Sequence, residues 1–103
     1  MSIFNSTLVD SVASSIYTSA GNSAVTTAYL CNKTPNAVIV NVFVVASGSV
    51  ASGDNIIYSN LSIAGYDTYV MESERLLFNN GDFISANSSV ASAVVATTSY
   101  TGI

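Results

Sequence analysis

In 103 residues the chain carries two Lys or Arg, six Asp or Glu and no His, for a formal net charge of −4. Two cations cannot neutralise a phosphate backbone or hold an anionic membrane surface, which excludes direct nucleic-acid and membrane binding. Charged residues make up 8% and hydrophobic ones 50%, so the solvated face must be built from Ser, Thr, Asn, Ala and Val, a surface that loses few ion hydration shells when another protein covers it.

The length is that of one domain with a real but small core. The longest strongly apolar run is Val42–Ala46, far short of the about 20 residues of a transmembrane helix. The first basic residue is Lys33, so no secretory leader is expected. A single cysteine, Cys31, excludes an internal disulfide; between Leu30 and Asn32 it reads as a small buried hydrophobe.

Residues 1–14 precede the regular pattern. Phe4, Leu8 and Val12 recur at helical spacing, widened by Val9 and Ile16, and Asn5 or Ser6 could cap a helix. β-branched Ile3, Val9 and Val12 among Ser and Thr argue for an extended segment instead. Apolar residues at a terminus need a docking surface. The segment is therefore expected as an extra edge strand of the domain or as an arm reaching a neighbour.

From Ile16 onward the chain is a series of short β-type runs: Ile16–Ser19, Ala24–Asn32, Ala37–Ala46, Asn55–Ile63, Thr68–Glu72, Arg75–Asn79, Phe83–Ala86 and Val90–Tyr100. Between them lie turn residues such as Ala20-Gly21-Asn22, Thr34-Pro35-Asn36, Ser47-Gly48, Gly53-Asp54, Ala64-Gly65 and Asn80-Gly81-Asp82. About eight such strands, with no sustained 3.6-residue stripe, predict an all-β domain over 15–103: an antiparallel β-sandwich, jelly-roll-like. Ala37–Ala46 reads as an interior strand that is apolar on both faces, with Val38, Val40, Val42 and Val44 against Ile39, Phe43 and Val45. One of these faces is expected under a cover of the same chain or against another subunit.

The residues offer little chemistry. Without histidine there is no triad and no His-ligated metal, and one cysteine cannot build a zinc site. No glycine spacing matches a phosphate loop, and no serine sits in a nucleophile elbow. Asp67, Glu72, Glu74 and Asp82 could be read as a Ca²⁺ site, but solvated turn and edge carboxylates explain them better. Tyr58, Tyr66 and Tyr69 could form a sugar-stacking platform; tyrosines at the edge of a core are commoner. The Asn-x-Ser/Thr matches at Asn5, Asn32, Asn60 and Asn87 are what a chain rich in these residues produces by chance. We therefore expect no enzyme activity, no catalytic or metal residues and no cofactor.

A family pattern runs through these elements. Ile16-Tyr17-Thr18-Ser19-Ala20-Gly21, then Ala24–Asn32 ending in Cys31-Asn32, then Ala37–Val45, resembles the opening of small virion proteins of tailed bacteriophages, marine phages in particular. Ile63-Ala64-Gly65-Tyr66-Asp67-Thr68 and Leu77-Phe78-Asn79-Asn80-Gly81-Asp82-Phe83-Ile84 are similar to that family's later turns, apart from the inserted Tyr66 and the Asn79-Asn80 pair. The resemblance covers about 15–103. It implies a non-enzymatic virion component assembled in the host cytoplasm, a capsid decoration or cement protein on the outer shell. Tail, baseplate or fibre association, or a carbohydrate-binding sandwich, are the alternatives. The implied partners are the protein's own copies, as a homo-oligomer, and other virion proteins, the major capsid protein first. The residues expected at such interfaces are Phe4, Leu8, Val9, Ile39, Phe43 and Val45.

Overall fold

The computed structural model describes residues 2–8, 13–71, 76–90 and 92–102. Among them are nine strands and no helix: β1 (Ser2–Thr7), β2 (Ser14–Thr18), β3 (Ser23–Asn32), β4 (Val38–Val45), β5 (Ile56–Ile63), β6 (Thr68–Met71), β7 (Leu76–Phe78), β8 (Phe83–Ser88) and β9 (Val94–Gly102). β6 and β7 pair with different halves of β3, Ala28–Cys31 and Ser23–Val25, and so share one edge of the sheet.

The pairing is that of a hairpin of hairpins. β4 and β5 form the tip, β3 pairs with β6 and β7, β2 with β8, and β1 with β9, all antiparallel. Wrapping this long ribbon adds two further contacts, β3 with β9 and β4 with β8. The result is two sheets, β1-β9-β3-β6/β7 and β2-β8-β4-β5. This is a jelly-roll β-sandwich, with β4 interior as its pattern predicts.

Alternation along each strand supplies the core. Leu30, Val38, Val40, Val42, Ile84, Val94 and Ala96 are wholly buried between the sheets. Small residues such as Ala28, Ala86 and Ala96 let the layers approach closely. Tyr17 stacks on Phe78 and lies against Tyr100, with ring centroids 6.0 and 4.4 Å apart. Its hydroxyl bonds Ser23 Oγ at 2.8 Å, which in turn bonds Ser19 Oγ at 2.7 Å. Buried hydroxyls are thereby satisfied by one another.

Several sequence expectations are corrected. Of the two alternatives for the N-terminal segment, residues 2–7 take the extra edge strand, whereas Leu8, expected at an interface, is buried in the core. Val44 keeps the inward side of β4, opposite Ile84 and packed against the core, and Val45, on the other side of the strand, is nonetheless wholly buried. The register shifts opposite Val40–Phe43 fall on β5 instead, where Tyr58 and Leu61, three residues apart, both turn to the core. Leu8 therefore belongs to the core, and Val45, wholly buried within the chain, offers no surface to an interface. Cys31 is partly exposed rather than buried, because its neighbours Leu30 and Asn32 take the inward positions. The last strand begins at Val94 rather than Val90, and Val90 is exposed.

Candidate functional site

None of the nine strands contains Asp, Glu, Lys or Arg. The described charged residues, Lys33, Asp54, Asp67 and Asp82, all lie in connections. In a jelly roll the connections gather at the two ends of the sandwich. Backbone hydrogen bonds show this directly. At one end Lys33 N donates to Ala93 O, Asn32 N to Asp67 O and Tyr66 N to Thr34 O. At the other, Ser19 N donates to Asp82 O and Gly81 N to Ser19 O. Among the described residues, then, charge is found in the connections and none on the strands that make the two broad faces.

On the outer face of the β1-β9-β3-β6 sheet, Asn5, Thr97, Tyr29 and Val70 stand in one cross-strand row and Thr7, Val95, Cys31 and Thr68 in the next. Tyr29, Val70 and Ile3 are exposed there. Thr97 Oγ1 and Asn5 Oδ1 are hydrogen-bonded at 2.8 Å, which ties two polar side chains to each other. The opposite face carries Ile39, Asn41 and Phe43 of β4 beside Asn87 and Ser85 of β8. There Asn41 Nδ2 donates to Asn87 Oδ1 at 3.0 Å, and Asn60 N donates to Asn41 Oδ1 at 2.9 Å. Such faces offer contact area and neutral hydrogen-bonding groups, with no ion to strip of water.

The ends are locked by two polar side chains. Asn32 is wholly buried; its Nδ2 donates to the carbonyls of Asn36, Ile63 and Ala64 at 2.8, 3.1 and 3.2 Å. Its Oδ1 accepts from Thr34 N at 3.0 Å and Thr34 Oγ1 at 2.7 Å. One amide thus joins the β3–β4 and β5–β6 connections. Gly65 packs on the Pro35 carbonyl so closely that a Cβ there would collide with it. Asp82 does the equivalent at the other end, accepting from Ser47 N at Oδ1 and Asn79 N at Oδ2, both at 2.9 Å. These two donors hold its carboxyl below the usual aspartate range.

Of the residues expected at interfaces, Ile39 and Phe4 are exposed and Phe43 partly so, while Val9 lies outside the described residues. Phe4 and Ile39 are not brought together: one is on β1, in the first sheet, and the other on β4, in the second. Phe4 also turns an edge of its ring to Tyr17, 6.5 Å between centroids, and so partly closes the flank of the core. Asp67 and Asp82 stand at opposite ends of the sandwich, and Glu72 and Glu74 lie outside the described residues. Tyr58 and Tyr69 pack edge to face at 5.4 Å against the core; interaction with the Tyr58 hydroxyl, then burial, raises the pKa of Tyr69. Tyr66 alone projects, 72% exposed at the turn before β6. The Asn32 clamp escaped sequence reading, although Asn32-Lys33-Thr34-Pro35 carries the signal of an Asx-turn. No family model and no curated protein matches this chain.

Proposed function

We propose that the protein is a non-enzymatic structural component of a tailed-phage virion, a capsid decoration or cement protein that seats on the outer shell and on its own copies. The observation that carries this reading is that none of the nine described strands contains a charged residue. A freely diffusing domain uses charge on its broad faces to stay apart from its neighbours. Here those faces are neutral, and covering them leaves no buried ion unpaired. A cement protein works through many such modest contacts, each made effectively intramolecular by its neighbours in the lattice. The jelly roll is an architecture found in viral capsid and lectin domains, and it is compatible with this role without selecting it.

The carbohydrate-binding alternative has less support, since Tyr58 and Tyr69 are turned to each other and to the core, leaving Tyr66 without an aromatic companion of that set. A tail, baseplate or fibre position would use the same neutral faces. Mass spectrometry of purified virions, calibrated on the major capsid protein, is the test. A copy number approaching that of the shell subunit supports the decoration role, and a small ring-like number supports the tail. Absence from the particle refutes the virion reading.

A further inference from the structure

The sandwich has four strand edges, formed by β1, β2, β5 and the β6/β7 pair. Without lysines in the strands, irregular backbone is the available means of blocking an edge. Three of the four have it. β2 is bulged between Ser15 and Tyr17. β5 shifts register twice against β4, with Asn60 at φ 56°. The β6/β7 edge is divided between two strands, Thr68–Met71 and Leu76–Phe78, which pair with separate stretches of β3. β1 is the exception: six residues, Ser2–Thr7, in unbroken register with β9, with no proline, glycine or charge.

The phase of its free hydrogen-bonding groups follows from Leu8, whose N donates to Val94 O at 2.9 Å and whose O accepts from Ser92 N at 3.1 Å. Leu8 thus addresses the β9 side. Alternation along an antiparallel strand then turns Ser6 and Phe4 to β9, and directs the N–H and C=O of Thr7, Asn5 and Ile3 to the open edge. The side chains of those three residues are on the outer face, where Ile3 is 67% exposed.

We propose that β1 is a homodimerisation edge, pairing antiparallel with β1 of a second copy about a two-fold axis through Asn5. Opposed residues in a sheet must share a face, so only registers centred on a residue are allowed. Centring on Asn5 sets Ile3 opposite Thr7 of the other copy and Asn5 opposite itself, and every outward N–H and C=O of the three residues finds a partner. Centring on Phe4 sets Thr7 opposite residue 1, outside the described strand. The strand is therefore complementary to itself, which makes a second copy the fitting occupant. β1 carries no charge to repel that copy. The two-fold is isologous and closes on pairing, joining the two β1-β9-β3-β6/β7 sheets into one continuous neutral face. This deepens the assembly reading by naming how copies meet. Virion content reports where the chain resides, so either idea can fail alone.

The test uses the full chain in isolation. By sedimentation velocity it should form a dimer as concentration rises toward roughly millimolar. Asn5→Pro deletes an N–H that the β9 ladder does not use, so it should weaken dimerisation roughly 10- to 100-fold while far-UV circular dichroism stays unchanged. In a Cys31→Ser background, Asn5→Cys places two sulfurs across the two-fold within disulfide reach, and mild oxidation should give a covalent dimer. Ile39→Lys, on the other sheet, should leave the dimer intact. A wild-type monomer throughout that range, or no Asn5→Cys cross-link, overturns the proposal. So does a dimer that Ile39→Lys dissociates and a folded Asn5→Pro variant retains. Should Asn5→Pro fail to fold, the cross-link decides.

Discussion

Truncating Asn32 to alanine should be among the most damaging single changes available outside the apolar core. The side chain is 0% exposed and makes five hydrogen-bond contacts, three donated and two accepted. Its removal does not leave all the partners equally stranded. Asn36 is exposed and Thr34 partly so, and water can replace what they lose. Ile63 is buried and its carbonyl faces the cavity. Taking about three of the contacts as lost without replacement, at about 1 kcal/mol each, gives roughly 3 kcal/mol. For a domain of this size that lowers Tm by roughly 12–24 °C. Urea unfolding followed by far-UV circular dichroism reads the change directly, with the midpoint falling at unchanged slope. Asn36→Ala is the control: Asn36 supplies only its backbone carbonyl to the clamp, so that substitution should be near neutral. Asn32→Asp should be worse than Asn32→Ala at neutral pH, because it turns a carboxylate oxygen toward carbonyls that need a donor. If Asn32→Ala stays within about 0.5 kcal/mol of wild type, the connections are held by something other than this amide and the reasoning fails.

Three further outcomes are expected. Thr98 Oγ1 is buried without a hydrogen-bond partner, so Thr98→Val should stabilise the fold by about 1 kcal/mol, read as a Tm about 4–8 °C higher. Gly65→Ala drives a Cβ into the Pro35 carbonyl and should cost about 2 kcal/mol, a loss visible in the same urea titration. Asp82 has its carboxyl pKa lowered by the Ser47 and Asn79 amides. Its contribution is therefore fully present above the unfolded aspartate pKa and lost as pH falls through the folded one. Thermal melts should show Asp82→Asn less stable than wild type at neutral pH, with the gap closing in acid; a gap independent of pH would exclude the carboxylate as its source.

Strand identity was legible because each element is short, β-branched and bracketed by turn residues. The runs read as Ala24–Asn32 and Ala37–Ala46 become β3 and β4 with ends displaced by one residue. What could not be read was which face of a strand points inward once the backbone slips. Alternation holds along β4, where Val44 lies opposite Ile84 and packs on the core, but it breaks along β5, whose Tyr58 and Leu61 both turn inward although three residues apart. Periodicity is a local quantity, whereas a bulge is set by the partner strand. Leu8 misleads for a related reason. Its helical spacing from Phe4 is real in the sequence, but the pairing with β9 decides that Leu8 enters the core and Phe4 stays at the flank. Asn32 stands in a sequon pattern shared with three exposed or half-exposed asparagines. Only the meeting of two connections, distant along the chain, turns it into a clamp.

Strands without charge have consequences for how such a protein must be protected from itself. Most sheet proteins keep their edges apart with lysine, and that device is missing from these strands. Bulges at two edges and the division of a third take its place, and they act by geometry alone, so salt does not weaken them as it screens surface charge. The ends behave differently. Lys33, Asp54, Asp67 and Asp82 keep the connections hydrated, and Asn32 and Asp82 hold those connections in fixed conformations. A body with wet, rigid ends and neutral sides has a preferred orientation in any assembly: sides against neighbours, ends toward solvent. Changes at the exposed tip around Val50, in the β4–β5 connection, should then be tolerated in the assembled state. A single charge at Tyr29 or Val70, on an exposed neutral row, would have to be dehydrated at every copy of that contact. The asymmetry follows from where the described ionised residues lie, in the connections and not on the strands.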